Sequence, residues 1–119
     1  MTREQDPKYE LPLQPVTFHI LLALAEGDRH GYAIIQQVLA ATGGQLRIPA
    51  GSLYRSIQRM LERDLIAEVR TRPAVGEDDE RRRYYRITLF GRLVAQAETH
   101  RLANLVRLAR ASGLVTSKG

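Results

Sequence analysis

The chain has 119 residues, no cysteine and a formal net charge of +5, which fits one domain with a single core. The lack of cysteine excludes disulfides, thiolate catalysis and cysteine metal sites, and it is compatible with a reducing cytoplasm. The longest clean apolar run, Ile20 to Ala25, is far too short to cross a bilayer. The polar start is unlike a signal peptide, so we expect a cytoplasmic protein with no membrane partner.

The chain opens with a polar arm, residues 1–14, whose two prolines predict an extended or loosely ordered segment. Pro15 then begins a first helix at a position where its missing amide hydrogen costs nothing. From Val16 to Ala25 nearly every side chain is apolar, which predicts a core helix buried on most sides. Gly27 closes this helix, and residues 28–30 are expected to form a short turn.

A second helix is predicted from Gly31 to Thr42, because apolar residues recur there at helical spacing. The Gly43-Gly44 pair stops it by permitting a left-handed residue after the last turn. Residues 45–48 form a short connection that is able to add one residue pair to a small sheet. A third helix follows directly, so the two helices and their brief connection predict a helix-turn-helix.

The third helix is expected to begin near Ser52, as an N-cap or first-turn residue, and to end near Asp64. Leu53, Ile57, Met60 and Leu61 share one apolar stripe. The opposite, solvent-facing side carries Arg55 and Arg59, with Ser52, Ser56 and Arg63 close by. Because arginine donates two hydrogen bonds to guanine, this face suits a DNA major groove. The alternative is an ordinary solvated helix face.

After Asp64 the period changes, and Leu65 to Arg72 alternates like a strand. Residues 73–80 read as a loop, and Arg81 to Thr88 is a second strand in which alternation sends Tyr84 or Tyr85 into the core. The hairpin is expected to act as a wing. Four acids at positions 77–80 would repel phosphates, so DNA contact is expected at the base of the wing, through Arg72, Arg81 and Arg82.

Thr88 caps a last helix, residues 89–113, which precedes a tail, residues 114–119. Its apolar residues cover more surface than one small domain hides, which predicts a partner helix from a second copy. The expected dimer contacts are Leu89, Leu93, Ala97, Leu102, Leu105, Val106 and Ala109. The alternative is that this helix folds back over its own core.

Four motifs carry a family resemblance: His30-Gly31-Tyr32, Gly51-Ser52-Leu53-Tyr54-Arg55, Leu65-Ile66, and Tyr84-Tyr85-Arg86-Ile87-Thr88 followed by Gly91. In this order and spacing they resemble the PadR family of bacterial transcriptional regulators, over roughly residues 16–91. The last helix resembles the single dimerisation helix of that family's shorter subgroup. The fold class implied is mainly α with a small β-hairpin: a winged helix-turn-helix, residues 15–88, plus a long C-terminal dimerisation helix.

The resemblance implies a homodimer that binds a pseudo-palindromic operator in double-stranded DNA and represses genes. Release would follow a signal such as a small aromatic (phenolic) or drug-like effector. Tyr32, Ser52, Tyr54 and Arg55 would face the DNA; the alternative for the two tyrosines is a half-buried ring that bridges adjacent helices. Asp64 departs from the family by standing where glycine is usual, so either the turn needs no left-handed residue or aspartate tolerates that conformation.

Other functions fit the sequence less well. There is no nucleophile elbow, no phosphate loop and no close carboxylate pair outside the acidic loop, which argues against an enzyme. Scattered histidines without metal-ligand spacing predict no metal site, and we expect no cofactor. Phe18, Phe90 and His100 could line an effector cavity but are better read as plain packing. A winged-helix module that binds protein, not DNA, is the main alternative, and MarR-type or ArsR-type winged helices are others.

Overall fold

The computed structural model describes residues 6–69 and 83–115. Its elements are a 3-10 helix, Pro7–Glu10; α1, Pro15–Ala25; β1, Arg29–His30; α2, Gly31–Ala41; α3, Ala50–Glu62; β2, Ile66–Val69; β3, Tyr84–Ile87; and α4, Leu89–Ala111. The three strands form an antiparallel sheet in the order β1-β3-β2. The predicted mainly helical fold with a small hairpin is therefore confirmed.

The core lies where α1, α2 and α3 meet the sheet. α1 contributes Ile20, Leu21, Ala23 and Leu24, all buried, as predicted for a core helix. The helix is less enclosed than its composition suggested, because Leu22 keeps 45% of its surface exposed. Apolar composition alone therefore overstated how many sides of α1 are covered.

β1 is a strand that the sequence analysis assigned to a turn. Arg29 pairs with Tyr85 and His30 with Tyr84, which places β1 beside β3. The segment proposed as a sheet partner, residues 45–48, forms no strand. Both interpretations were wrong because a two-residue strand carries no periodicity, and its pairing depends on which segment the tertiary fold brings to the sheet edge.

The hairpin is held in register by the pairs Ile66 with Ile87 and Val69 with Tyr84. Ile66, Ile87 and Tyr85 are buried, so alternation sends Tyr85 into the core, as predicted. Tyr84 is only half-buried on the other face. Within the described residues the strands are shorter than predicted, and the predicted loop and the outer ends of both strands lie outside those residues.

The turn between α3 and β2 is tied to the start of α4. Asp64 has φ 61°, so aspartate tolerates the left-handed conformation that glycine usually supplies here. Oγ1 of Thr88 accepts a hydrogen bond from the N–H of Gly91 at 2.8 Å, which confirms the predicted cap. The same hydroxyl donates to the carbonyl oxygen of Asp64 at 2.6 Å. The α4 cap therefore also fixes the turn that ends α3.

Residues 6–14 of the N-terminal arm, predicted to be extended or loosely ordered, lie against the domain. Pro7–Glu10 form a 3-10 helix, and Leu11 and Gln14 have extended backbone. Leu13 is in the hydrophobic core with 9% of its surface exposed. Its backbone N–H donates to Oε2 of Glu98 on α4 at 3.1 Å. Polar composition suggested a free arm, but one apolar anchor and one distant carboxylate are enough to hold it.

Candidate nucleic-acid interface

α3 is built so that one face is fixed in the core and the other is free. Leu53, Ile57 and Met60 are buried, as predicted, and Leu61 is half-buried. The helix begins at Ala50 after the N-cap Pro49, which places Ser52 in its first turn. Because the buried stripe is continuous, the direction of the outer face is set by the core and not by the solvated side chains.

The outer face of α3 is polar and largely cationic. Arg55, Gln58 and Arg59 are exposed, and Ser52 is half-buried with its Oγ 3.3 Å from Nη2 of Arg55. Gln58 was not among the predicted contacts, although its position three residues after Arg55 puts it on the same face. Glutamine donates to and accepts from adenine in the major groove, as arginine donates to guanine. This face therefore offers complementary groups for both purines.

One flank of α3 is held against α2 by Tyr54. A methyl group built on Gly31 would clash with the Tyr54 hydroxyl and lie 2.9 Å from its Cζ, so only glycine lets the phenol ring approach this closely. Tyr54 nevertheless keeps 50% of its surface exposed, and Tyr32 keeps 65%. Tyr54 thus bridges the helices and remains open to solvent, whereas Tyr32 is mainly exposed.

The start of α2 is fixed by His30. Its Nδ1 accepts a hydrogen bond from the N–H of Ala33 at 3.1 Å and acts as the N-cap of the helix. The imidazole also meets the Tyr84 ring edge-on, with centroids 5.4 Å apart and planes 86° apart. His30 therefore links α2, which carries Tyr32, to the base of the hairpin.

The other flank of α3 faces the N-terminal arm across a groove of about 580 Å³, which we call the arm groove. Its α3 wall carries Ser52, Arg55, Ser56, Arg59 and Arg63, and its other wall includes Glu10, Gln14 and Thr17. Arg63 and Glu10 form an ion pair across the groove, with Nη1 and Oε1 3.4 Å apart. The groove had no sequence signal, because its two walls are about forty residues apart.

The arm wall is anchored by Glu98, which is 2% exposed. Oε1 accepts from Nε of Arg101 at 2.6 Å, and Oε2 accepts from Nη2 of Arg101 at 3.0 Å as well as from the Leu13 N–H. The bond from Arg101 lowers the pKa of Glu98 against the opposing effect of burial, and the bond from Leu13 lowers that pKa further. Glu98 therefore stays ionised and holds the arm in place.

The predicted wing contacts Arg72, Arg81 and Arg82 lie outside the described residues, as does the acidic loop. At the hairpin base, Arg83 is exposed, and its Nη1 lies 3.8 Å from Oε1 of Glu68. Nε and Nη2 of Arg86 donate hydrogen bonds to Oδ1 and Oδ2 of Asp28 at 3.1 and 2.8 Å, and this pairing raises the pKa of Arg86. Arg86 therefore braces the sheet and is engaged within the domain.

The predicted dimerisation residues fall on two faces of α4. Leu89, Leu93 and Ala97 follow one another at four-residue steps on one face. Leu102, Leu105 and Ala109 instead continue the stripe that Gly91, Val94 and Glu98 bury in the first half of the helix, with Val106 beside them. Leu89, Leu105 and Val106 are 77, 47 and 48% exposed. Beyond Glu98 the same stripe therefore continues as apolar side chains that the domain covers only in part.

The residues considered for an effector cavity differ in their surroundings. Phe18 and Phe90 are partly buried and pack against the core, whereas His100 is exposed on α4. Among residues 6–69 and 83–115, no group of three histidines, cysteines or acids is arranged to hold a metal ion. Over the same residues, no helix combines the length and apolar character needed to span a membrane.

Comparison with known families assigns the fold. Residues 20–97 match the family model of the transcriptional regulator PadR-like family. The chain belongs to the PadR-like family. This assignment agrees with the resemblance drawn from the four sequence motifs. PadR regulators are DNA-binding proteins and not enzymes.

Two relatives of this PadR-like chain are uncharacterised proteins. A 37.1 kDa protein in transposon TN4556 of Streptomyces fradiae is 35% identical over 86 residues, covering 72% of this chain and 22% of that protein. Protein X of Lysinibacillus sphaericus is 33% identical over 75 residues, covering 61% of this chain and 64% of that protein. The chain therefore spans less than two thirds of either relative.

Solved structures share the PadR-like fold. A transcriptional regulator from Clostridium thermocellum is 26% identical with a TM-score of 0.68, covering 81% of this chain and 87% of that one. A PadR family transcription regulator from Clostridium difficile has 20% identity, a TM-score of 0.69 and coverages of 82% and 97%. Bacillus subtilis PadR, solved in complex with operator DNA, has 19% identity, a TM-score of 0.59 and coverages of 76% and 48%.

Proposed function

We propose that this PadR-like chain is a homodimeric, sequence-specific repressor whose α3 enters the major groove of a pseudo-palindromic DNA operator. The observation that carries the proposal is the outer face of α3. Arg55, Gln58 and Arg59 are exposed on a helix whose opposite face is fixed in the core. A rigid helix with purine-reading side chains is what major-groove recognition requires. Bacillus subtilis PadR, which shares the fold, was solved in complex with operator DNA, and this supports DNA binding by the present chain.

The surrounding residues divide into base and phosphate contacts. Tyr32 lies in the first turn of α2 and Tyr54 lies against Gly31, the first residue of the same helix. Both phenols are exposed, and a phenol hydroxyl donates to phosphate oxygen. Arg72, Arg81 and Arg82, which the sequence predicts at the base of the wing, are proposed to contact the backbone as well. Such contacts set the register of the protein on DNA, while Arg55 and Gln58 supply sequence preference.

The dimer proposal is supported by the shape of α4. The helix has 23 residues and is therefore about 35 Å long. Its buried residues end at Glu98, and beyond that point Leu105, Val106 and Leu108 are each nearly half exposed. A second copy covering this segment would remove the exposed apolar stripe. In such a dimer, binding to a pseudo-palindromic operator requires the two copies of α3 to lie about one helical turn of DNA apart.

The experiment is binding to labelled DNA from the protein's own promoter and to a scrambled duplex, across a salt series, with the mass determined by light scattering. A dimer should prefer promoter DNA and lose affinity steeply as salt rises. Arg55→Ala and Arg59→Ala should each cost about 1–3 kcal/mol of binding where the arginine reads a base. An equal loss on both duplexes would make that arginine a phosphate contact.

The alternative of a protein-binding winged helix predicts an apolar or acidic outer face on α3. The arginines on that face favour DNA instead. A folded dimer that ignores both duplexes at every salt concentration would reverse this choice. Release by a small aromatic or drug-like effector remains a prediction, tested by adding candidate phenolic compounds to the promoter complex.

A further inference from the structure

The arm groove is a built, two-sided feature on one flank of the proposed recognition helix. Arg55, Arg59 and Arg63 line it from α3, at four-residue steps that separate their Cα atoms by about 6 Å along the helix. Gln14 and Thr17 line it from the opposite side. The opposite flank of α3 is closed by the contact between Tyr54 and Gly31. Of these two flanks, the arm side is therefore the open one.

The charge in the groove is one-sided. Three guanidinium groups line it, and Glu10 is the acid that faces them. Glu10 is tied to Arg63, which directly follows the last residue of α3. Arg55 and Arg59 also line the groove. A cleft lined mainly by one sign of charge attracts the opposite charge, so the groove suits a chain of anionic groups more than a neutral ligand.

We propose that the arm groove holds the phosphate backbone of one operator strand, with Arg59 and Arg63 as phosphate contacts and residues 10–17 as the second wall. This inference rests on the proposed DNA-binding function. A helix lying in the major groove has a sugar-phosphate backbone on each side. The backbone on the arm side then enters the groove, while Arg55 and Gln58 point to the bases.

The second wall is rigid before DNA arrives. Leu13 is buried in the core, and its N–H is held by Glu98, whose carboxylate is fixed in turn by Arg101. The ion pair between Glu10 and Arg63 joins the wall to α3 directly. A preformed groove loses little conformational entropy on binding, so a wall fixed in this way favours tight contact with the backbone.

The test places a negative charge on the arm wall. Gln14→Glu adds one charge at an exposed side chain that lines the groove and makes no capping hydrogen bond. An acid at the start of α1 suits the helix dipole, so the variant should fold normally, which a melting curve checks. Gln96→Glu, exposed on α4, is the matched control with the same change in charge. Binding is measured on promoter and scrambled duplexes across a salt series.

Gln14→Glu should weaken binding about tenfold on both duplexes and leave their affinity ratio unchanged, while Gln96→Glu should change binding less than about twofold. Arg63→Ala should make the plot of log affinity against log salt less steep, with the magnitude of its slope reduced by about 1. Glu10→Gln should strengthen binding a few-fold on both duplexes, because Glu10 is the one acid among the described residues that line the groove.

Three results would overturn the proposal. If Gln14→Glu and Gln96→Glu behave alike while the unmodified dimer binds its promoter, the groove holds no backbone and the proposed function still stands. If Gln14→Glu lowers only the promoter affinity, the arm wall reads bases. If the unmodified protein binds neither duplex, the proposed function fails and this inference fails with it.

Discussion

The buried carboxylate of Glu98 on α4 accepts a hydrogen bond of 3.1 Å from the backbone N–H of Leu13, 85 residues earlier in the chain. Glu98 also pairs with Arg101 one helical turn later. A single side chain therefore connects three parts of the molecule: the N-terminal arm, the domain core beneath Leu13, and the second half of α4. The position of the arm depends on the position of α4.

Replacing Glu98 should destabilise the domain. Glu98→Ala leaves the buried Leu13 N–H without its acceptor and should lower the free energy of unfolding by about 2 kcal/mol. Glu98→Gln keeps an acceptor for that N–H and loses only the ionic pairing with Arg101, so it should cost less. Urea unfolding at pH 7 measures both variants. Equal losses would mean that the ion pair, and not the bond to Leu13, stabilises the arm.

The same residue predicts a pH dependence. The pKa of Glu98 is lowered in the folded protein, so its contribution is fully present above the pKa of the unfolded chain and is lost as pH falls through the folded value. The stability advantage of the unmodified protein over Glu98→Gln should therefore shrink as pH drops below about 4.3, the ordinary glutamate pKa. A difference that stays constant down to pH 2 would contradict the assignment.

Gly91→Ala should destabilise the fold more than a typical helix substitution. A methyl group on Gly91 would clash with the backbone carbonyl oxygen of Leu65 and lie 2.9 Å from its carbon. Because backbone cannot move aside as a flexible side chain can, we expect a loss of about 3 kcal/mol in thermal or urea unfolding. Gly51→Ala is the control, since its methyl would meet only Arg55 at 3.5 Å. It should stabilise α3 slightly.

Gly31→Ala should separate DNA binding from stability. The added methyl would meet the phenol end of Tyr54, a half-exposed side chain that is able to rotate away. We expect the free energy of unfolding to change by less than about 1 kcal/mol, because alanine favours the helix while the displaced ring loses packing. Promoter affinity should fall several-fold as Tyr54 leaves its position. Unchanged affinity would show that the Tyr54 ring takes no part in the DNA contact.

Leu105→Asp should break the proposed dimer. Leu105 lies on the stripe that continues from Val94 and Glu98 and is 47% exposed. An aspartate there would bury an unpaired charge between two copies of α4, so the mass by light scattering should fall from twice to once the 13.5 kDa chain mass. Leu89→Asp tests the other predicted face of α4, and an unchanged mass for this variant would place the interface on the Leu105 stripe. The reverse result would move the interface to the Leu89 face.

Much of the fold was predictable because it depends on local periodicity. The stripe of Leu53, Ile57 and Met60 set the orientation of α3, and strand alternation sent Tyr85 inward. Arg55 and Arg59 followed from the same period, as did Gln58, which the sequence analysis overlooked. The Thr88 cap was also readable, since it joins residues three apart. These features need no knowledge of distant segments.

By itself, then, the sequence determined the helices, the hairpin, the basic outer face of α3 and the family to which the chain belongs. The tertiary structure alone decided the pairing of β1 with β3, the docking of the arm through Glu98, the close approach of Tyr54 to Gly31, and the arm groove. The physical reason is the distance along the chain. Periodicity predicts which way a side chain points within its own element. These contacts instead join segments that are far apart in the sequence, and neither segment's sequence predicts its partner.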